Sequence, residues 1–278
     1  MSNWALLSPN DTEHSGFVPS LSEGVELPAF AGTNQWSAWQ EIVAATQHKG
    51  ASLLLNTING AGAGRICMLE VAVGATGDEV PIFGPVRLMV LSNIASDGLS
   101  ILIPVSVPAG RRISVRWRAT GTATGLYRPR VSFAVVGPGD VPNGYGDASQ
   151  SYGQVISATE TEGTMADAGA SSHTEGARVE LTASTARRAR GFFFNLCAND
   201  GKGWRTDYTL FIRKGPIGDE VLLTRIHARS DLRGQAVPCI AGPFFCDIPA
   251  GSRLTLSVQS FSTTANQREL GGWITLFG

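Results

Sequence analysis

An internal repeat with a spacing of 141 residues constrains this chain more than any other feature of its sequence. The segment GATGDEV begins at Gly74, and its counterpart GPIGDEV begins at Gly215. The segment PAGRRISV begins at Pro108, and PAGSRLTL follows at Pro249 with the same spacing. Because several separate matches at one offset are hard to obtain by chance, we infer that one folding unit has been duplicated.

Two weaker matches extend the repeat in both directions. Residues 44–50 (AATQHKG) align with residues 185–191 (TARRARG) at the same offset, and residues 130–137 fall on residues 271–278. The duplication therefore predicts one domain over residues 36–137 and a second over residues 177–278, each of an ordinary domain size.

The remaining residues form two segments outside the repeat. Residues 138–176 are rich in Gly, Ser, Asp and Pro, which predicts a solvated linker or an extended strap. Residues 1–35 place large apolar residues between turn formers. This composition fits an N-terminal arm that docks on a neighbouring subunit and fits a disordered tail equally well.

The local patterns within each copy indicate strands. Charged residues are only 16% of the chain, and its 33 Gly and 14 Pro suit short strands joined by tight turns. One exception is Ser37–Gln47 with its counterpart Glu180–Arg190, which we interpret as a helix. The predicted strands are Ser52–Ile58, Ile66–Val73, Pro81–Leu91, Leu99–Val107 and Ile113–Trp117, then Gly191–Leu196, Tyr208–Arg213, Val221–Ile226, Leu254–Gln259 and Trp273–Phe277.

This pattern predicts an all-β fold of two tandem homologous β-sandwich domains of jelly-roll type, with the N-terminal arm and the Gly/Ser-rich linker. Within the repeat, Gly permits a positive φ and Pro fixes φ, so the shared motifs are expected to form turns. The adjacent acids of the GDEV motif also allow a cation site, although a solvated charged turn is the favoured interpretation. The repeated turn residues are Gly77, Asp78, Glu79, Pro108 and Gly110, with Gly218, Asp219, Glu220, Pro249 and Gly251.

Charge and hydropathy leave few partners to infer. The net charge of −1 gives no bulk attraction to nucleic acid or to an anionic membrane. No run of 18 apolar residues is present, and the N-terminal residues lack the basic and apolar regions of a secretory signal. We therefore expect no membrane insertion and no direct contact with nucleic acid.

Candidate catalytic groups do not form a pattern. The four histidines are scattered, and each repeat position that holds a His has another residue in the other copy. The Gly-rich segment Gly60–Gly64 lacks the Lys-Ser/Thr of a phosphate loop, and the motifs GxSxG and HExxH are absent. We expect no enzymatic activity, no cofactor and no metal.

The four cysteines lack the spacing of zinc ligands. Cys239 and Cys246 lie symmetrically about Gly242-Pro243, so a hairpin there would bring them close enough to form a disulfide. The favoured alternative is two small buried side chains, because synthesis in a reducing compartment disfavours a disulfide.

One group of arginines and aromatic residues is the candidate ligand site or subunit interface. Arg guanidinium groups and aromatic faces suit both sugars and phosphates. On a β surface the same residue types more often make cross-strand ion pairs or subunit contacts. The group comprises Arg116, Trp117, Arg118, Tyr127 and Arg128.

The duplicated unit, through GDEV (Asp78–Val80 and Asp219–Val221) and PAG (Pro108–Gly110 and Pro249–Gly251), resembles structural proteins of tailed-bacteriophage and gene-transfer-agent particles: head spikes, collar or neck decorations and fibre-attachment proteins. This resemblance implies a non-enzymatic capsid decoration, collar or spike protein of the virion, assembled in the host cytoplasm. It also implies a homo-oligomer, such as a trimer or ring, that contacts other virion proteins. An alternative is a β-sandwich that binds a cell-surface polysaccharide, and a further one is a lyase or glycosidase on a jelly roll.

Overall fold

The structure, a computed structural model, divides the chain into two compact units. The first comprises residues 1–149 with 277–278, and the second comprises residues 150–276. The residues whose structure is described are 12–15, 25–28, 35–46, 50, 52–58, 66–89, 98–105, 107–119, 130–136, 149–155, 163–198, 206–230, 236–237, 240–264 and 267–278.

The first unit contains two antiparallel sheets. One sheet has the strand order β1-β9-β4-β7, with β2 also paired to β9, and the other has the order β3-β8-β5-β6. The strands are β1 (Thr12–Ser15), β2 (Val25–Glu26), β3 (Gln40–Val43), β4 (Ser52–Ile58), β5 (Ile66–Val73), β6 (Val80–Met89), β7 (Gly98–Ile103), β8 (Ile113–Ala119) and β9 (Arg130–Val136).

The second unit repeats this arrangement with one added strand at the end of a sheet, β16. Its sheets have the orders β10-β19-β13-β17, with β11 also paired to β19, and β12-β18-β14-β15-β16. The duplication seen in the sequence is therefore a duplication of the fold. The strands are β10 (Gln150–Tyr152), β11 (Thr164–Asp167), β12 (Val179–Thr182), β13 (Ala189–Ala198), β14 (Asp207–Lys214), β15 (Val221–Ser230), β16 (Ala236–Val237), β17 (Ile240–Ile248), β18 (Leu254–Ser260) and β19 (Glu269–Phe277).

Alternating side chains build the core between the two sheets of each unit. On β14, Leu210 and Ile212 point inward and are fully buried, and they belong to one apolar cluster with Phe192 and Phe194 of β13 on the facing sheet. Successive side chains on a strand point to opposite faces, so Thr209 lies on the outer face. The all-β sandwich fold predicted from the sequence is confirmed.

The predicted helix at Ser37–Gln47 and Glu180–Arg190 is wrong. The first segment contains strand β3, which pairs with β8, and the second overlaps strand β12, which pairs with β18. Pairing with a neighbouring strand satisfies the backbone groups that a helix would have satisfied internally. Helix propensity is a weak preference, and tertiary pairing overrides it here.

The upstream part of the repeat is offset by 139 residues rather than 141. Gly50 lies opposite Val107, and Ala189 lies opposite Ile248, although Val107 and Ile248 are themselves 141 positions apart. The alignment of residues 44–50 with 185–191 is therefore displaced by two. Strands β5 and β14 are 141 positions apart, as are β8 and β18, so the two-residue difference arises in the connection that precedes β5 and β14.

Parts of the arm and of the linker belong to the sheets. Strands β1 and β2 lie within residues 1–35 and pair with β9, while β10 and β11 lie within residues 138–176 and pair with β19. These strands are only two to four residues long, so they are too short to show a clear apolar alternation. Among the described residues, no helix is long and apolar enough to cross a membrane.

Candidate functional site

The GDEV motif forms the same turn in both units. Gly77 and Gly218 each have a φ of +92°, a conformation that a side chain disfavours. The backbone N–H of Gly77 donates to the Glu79 carboxylate over 2.9 Å, and that of Gly218 donates to Glu220 over 3.0 Å. The repeated glutamate therefore closes its own turn.

An arginine holds this glutamate to a second carboxylate, and we call each such set an arginine clasp. Arg112 donates to Glu41 over 2.8 Å and to Glu79 over 2.9 Å. In the second unit, Arg253 donates to Glu180 over 2.7 Å and to Glu220 over 3.0 Å. The first clasp is Arg112, Glu41 and Glu79; the second is Arg253, Glu180 and Glu220.

Electrostatics in the clasp favours ionised glutamates. Burial by itself raises the pKa of Glu79, but hydrogen bonds from Arg112 and from backbone N–H groups more than offset this, so its pKa lies below the usual value. The same causes lower the pKa of Glu220. Because both carboxylates accept hydrogen bonds from an arginine and from backbone N–H groups, they help to hold the turn in each unit.

The PAG motif is fastened by a threonine that precedes it by about 60 residues in the chain. The Thr46 hydroxyl donates to Pro108 O over 2.7 Å and accepts from Arg111 N at 3.1 Å. Thr185 makes the matching bonds to Pro249 O at 2.9 Å and from Ser252 N at 3.1 Å. Both threonines are almost fully buried. The repeated turn residues thus have structural roles in each unit.

Trp117 does not form a ligand platform. Its side chain is 2% exposed and faces the core, and its indole Nε1–H donates to Pro28 O over 2.6 Å. Arg118 is 3% exposed and places a guanidinium nitrogen 3.2 Å from Met68 Sδ. Arg116 is partly exposed and pairs with Glu70 through a 2.7 Å hydrogen bond. Tyr127 and Arg128 lie outside the described residues.

Two tryptophans near β3, Trp36 and Trp39, lie against arginines of β8 on the outer face of the β3-β8-β5-β6 sheet. The Arg116 guanidinium carbon lies 4.8 Å from the ring centroid of Trp36 and 4.4 Å from that of Trp39. Arg118 also lies over Trp36, at 4.7 Å. These distances are those of cation–π contacts. The sequence grouped Arg116 and Arg118 with Trp117, whereas alternation along β8 sends Trp117 to the opposite face.

The second unit places different chemistry at the same positions. Ser37 N donates to the β8 strand at Trp117 O over 2.8 Å, and Gly176 N donates to the β18 strand at Val258 O over 2.9 Å. The preceding residues, Trp36 and Glu175, are therefore structural counterparts. Glu175 accepts hydrogen bonds from Arg213 at 2.8 Å and from Ser257 at 2.6 Å, instead of stacking on a guanidinium.

A cavity of about 520 Å³ lies on the outer face of the β12-β18-β14-β15 sheet. The Thr209 hydroxyl lies 3.2 Å from His227 Nδ1, and Arg229 pairs with Asp207 at 3.1 Å. The rings of His173 and Phe261 meet edge to face, with centroids 5.4 Å apart. The other lining residues are Tyr208, Ala228, Gln259 and Ser260.

The corresponding place in the first unit is filled by buried side chains. Met68 precedes Thr209 by 141 positions, and Arg118 precedes Gln259 by the same number. On the neighbouring strand, Arg87 pairs with Met68 in the same way that His227 pairs with Thr209. Met68, Arg87 and Arg118 are at most 3% exposed. The sequence comparison placed Val86 against His227, because it did not detect the extra register shift in the β5–β6 pair.

Cys246 carries a free thiol that is partly exposed, and Cys239 lies outside the described residues. Burial raises the pKa of the Cys246 thiol, and the nearby Lys214 opposes this only in part. Within the described ranges, no group of three or more His, Cys, Asp or Glu side chains is arranged to hold a metal ion.

No protein family and no curated protein matches this chain. Among solved structures it is similar to PNGF-II, with 10% identity and a TM-score of 0.45 over 97% of this chain and 65% of that chain, so it spans slightly less than two thirds of PNGF-II. It is also similar to the STIV MCP, with 8% identity and a TM-score of 0.32 over 90% and 94% of the two chains.

A third similar structure is the CBM22-1-CBM22-2 tandem domain of Paenibacillus barcinonensis Xyn10C, with 12% identity and a TM-score of 0.26 over 89% and 95% of the two chains. All three scores lie below 0.5 and all three identities below 25%. These likenesses carry no argument about function, which has to come from the residues of this chain.

Proposed function

We propose that this protein is a non-enzymatic structural component of a tailed-phage particle, a head-attached or neck-attached decoration, collar or spike that assembles through its two β-sandwich units. The observation that carries the proposal is a contrast between the two copies: the side chains that hold the turns are shared, whereas side chains on the outer faces of the sheets differ. Side chains kept in both copies, such as the clasp residues Arg112 and Arg253, hold turns and strands in place. Outer-face positions differ, as Trp36 and Glu175 do.

This contrast suits a protein that contacts different neighbours with two similar bodies. A duplicated scaffold supplies two rigid surfaces, and independent change of their outer side chains gives each surface its own partner. If the repeated acids were catalytic, they would be expected to converge on a reacting centre. Here Glu79 and Glu220 bind arginines and backbone N–H groups instead.

Exposed apolar side chains in the second unit are suitable anchors for assembly. Ile217 is 81% exposed and Phe245 is 61% exposed, while Val221 lies nearby along the β14–β15 turn and is also exposed. Contiguous patches of exposed apolar residues are typical of protein interfaces. We expect a homo-oligomer, a trimer or ring, that contacts other virion proteins, with the protein located in the virion after assembly in the host cytoplasm.

The test is mass spectrometry of density-purified particles from the source culture. The proposal predicts this chain at a copy number related to the particle symmetry, retained through a second gradient. Its absence from clean particles would contradict the proposal. Light scattering of the purified chain, alone and mixed with particles that lack it, separates self-assembly from assembly that occurs only on the particle.

A second candidate function is recognition of a cell-surface polysaccharide. Trp117, which the sequence suggested for this role, is buried and cannot contact a glycan without unfolding. The cavity beside His227 in the second unit is the observation that favours this function. A panel of purified glycans tested on the full chain checks it, independently of whether the protein is found in particles.

A further inference from the structure

The cavity in the second unit is lined by one carboxylate, that of Asp207, and by four side chains that can donate hydrogen bonds, namely Arg229, His173, His227 and Gln259. Asp207 and Arg229 pair at 3.1 Å, and their side chains are 72% and 61% exposed. A guanidinium has five N–H donors, so this pair leaves donors for a second carboxylate. The remaining guanidinium N–H groups of Arg229, beside the imidazole N–H groups of the lining, favour an anionic ligand.

One rim of the cavity is an exposed aromatic ring. Phe261 is 67% exposed, and its ring meets His173 edge to face. Ligand sites combine apolar surfaces with a few convergent polar groups. An exposed ring beside several donors suits a ligand that has one apolar face and a polar perimeter, and a pyranose ring has both.

The backbone holds His173 over the cavity in a strained conformation. Its φ is +58°, and it is the one non-glycine residue with positive φ among those described. Its N–H donates to Ser260 O over 2.9 Å, and its carbonyl accepts from the side-chain amide of Gln259. Strain of this kind persists only where neighbouring contacts enforce it. The two imidazole nitrogens of His173 have no hydrogen-bond partner within the described part of the chain, so they are available to a ligand.

The fold itself does not require the cavity. The equivalent place in the first unit is closed by Met68, Arg87 and Arg118, all buried. The two copies share their strand order apart from β16, which pairs with β15 at Arg229 and has no counterpart among the described residues of the first unit. The open site therefore reflects both the side chains and the local strand pairing of the second copy. Its volume of about 520 Å³ is in the range of small-molecule sites and accommodates one or two sugar residues.

We propose that this cavity binds an acidic sugar residue, with the carboxylate held by Arg229 and the histidines and the ring placed against Phe261. The site would recognise a hexuronate, free or within a polysaccharide. This inference deepens the glycan-binding candidate and does not depend on incorporation into particles. If acidic-sugar binding is not found, the proposal of a virion component is unaffected, and absence from particles likewise leaves the sugar-binding proposal unaffected.

The experiment is a saturation-transfer NMR titration of the full chain with two matched sugar pairs: D-glucuronate with D-glucose, and D-galacturonate with D-galactose. The members of each pair differ in the carboxylate, so the pair isolates the role of charge. We expect binding of at least one acidic sugar with a dissociation constant in the range of about 1 mM, and at least about tenfold weaker binding of its neutral partner.

Variants locate the binding. Arg229→Gln is expected to weaken acidic-sugar binding at least about tenfold, and Phe261→Ala several-fold. The matched controls lie outside the cavity in the same unit. Arg188→Gln removes another exposed arginine paired with an aspartate, Asp247, and Phe245→Ala removes another exposed phenylalanine. Both controls should bind as the wild type does.

Three results would overturn the proposal. The first is that neither hexuronate shows saturation transfer at a sugar concentration tenfold above the expected dissociation constant of about 1 mM. The second is equal binding of acidic and neutral sugars, which would remove the anionic group from the recognition. The third is unchanged binding in Arg229→Gln and Phe261→Ala, both of which alter exposed side chains and should remain folded. Thermal melting of each variant verifies that point.

Discussion

The hydroxyl of Thr185 donates a hydrogen bond over 2.9 Å to the carbonyl oxygen of Pro249, 64 residues later in the chain. This bond fastens the turn before β18 to the segment that leads into β13. Thr46 and Pro108 repeat the relationship at 2.7 Å. A single side chain in each copy thus connects two turns that the sequence separates widely.

Removal of this hydroxyl should destabilise the unit that contains it. Thr185→Val keeps the shape of the side chain but removes one of the donors to the Pro249 carbonyl, which still accepts from the Ser252 hydroxyl, and removes the 3.1 Å acceptor of the Ser252 N–H. We expect a cost of about 1 kcal/mol in the free energy of unfolding. Urea denaturation measures this difference. Thr185→Ser, which keeps the hydroxyl, should lose clearly less; equal losses in both variants would show that the methyl group matters instead.

The arginine clasp should make stability depend on pH on the acid side. The folded pKa of Glu220 lies below the ordinary value of 4.5, because hydrogen bonds from Arg253 and backbone N–H groups outweigh the effect of burial. The unfolded chain therefore takes up a proton first. The stabilisation is complete above about pH 4.5 and is lost as the pH falls through the lower folded value.

Glu220→Gln tests this expectation. At pH 7 the variant should have a lower urea midpoint than the wild type, and the gap should narrow toward pH 3 because the wild-type carboxylate becomes protonated. Asp219→Asn, which changes the exposed neighbour, serves as the control and should follow the wild-type curve. A gap that stays constant between pH 7 and pH 3 would contradict the ionised clasp.

The burial of Trp117 predicts a stability defect rather than a binding defect. Trp117→Ala removes a core side chain and should lower the free energy of unfolding by about 3–5 kcal/mol. Trp117→Phe fills part of the space but cannot bond to Pro28 O, with an expected loss of about 1–3 kcal/mol. Urea denaturation followed by circular dichroism measures both. If Trp117→Phe lost glycan binding at unchanged stability, the buried placement would be wrong.

The Cys246 thiol should react slowly with thiol reagents at neutral pH. Burial raises its pKa above the ordinary value of 9.0, so less of the reactive thiolate is present than in a free cysteine. The rate of disulfide exchange with a chromogenic reagent, measured between pH 7 and pH 10, should rise throughout that range. The variant Cys246→Ser identifies the signal, and a rate that levels off near pH 8 would refute the raised pKa.

Phe245 should act in association and not in folding. Its side chain is 61% exposed on β17, so Phe245→Ser is expected to change the free energy of unfolding by no more than about 0.5 kcal/mol. If the chain assembles through this surface, the same variant should shift the light-scattering mass toward smaller species. The buried-core variant Trp117→Phe provides the contrast, with lowered stability and unaltered assembly of the folded fraction.

The strands were predictable where apolar alternation was strong. Ser52–Ile58 and Ile66–Val73 agree with β4 and β5 to the residue, because their inward side chains form the core. The short strands β1, β2, β10 and β11 were assigned to the arm and linker. Each of these strands has at most four residues, so the pattern of its side chains is too short to be distinguished from that of a loop.

The outer-face site was less predictable than the fold. Its geometry depends on strand register. The sequence alignment matched Val86 with His227, but the β5–β6 pair contains one more register shift than the β14–β15 pair, so Arg87 is the structural counterpart of His227. A one-residue slip moves a side chain to the other face of a sheet. The turns at GDEV and PAG depend less on register, since Gly and Pro act through their own backbone preferences, and Gly77, Gly110 and their counterparts have a positive φ.

Each unit closes one of its sheets by pairing its earliest strands with its latest: β1 and β2 with β9, and β10 and β11 with β19. Contacts between such distant parts of a chain form slowly, because a large loop must close first. During synthesis on the ribosome, the first unit has all of its strands once β9 has emerged. The second unit must wait for β19, so the order of biosynthesis lets the two similar sequences fold one after the other and reduces the chance that strands pair with the wrong copy.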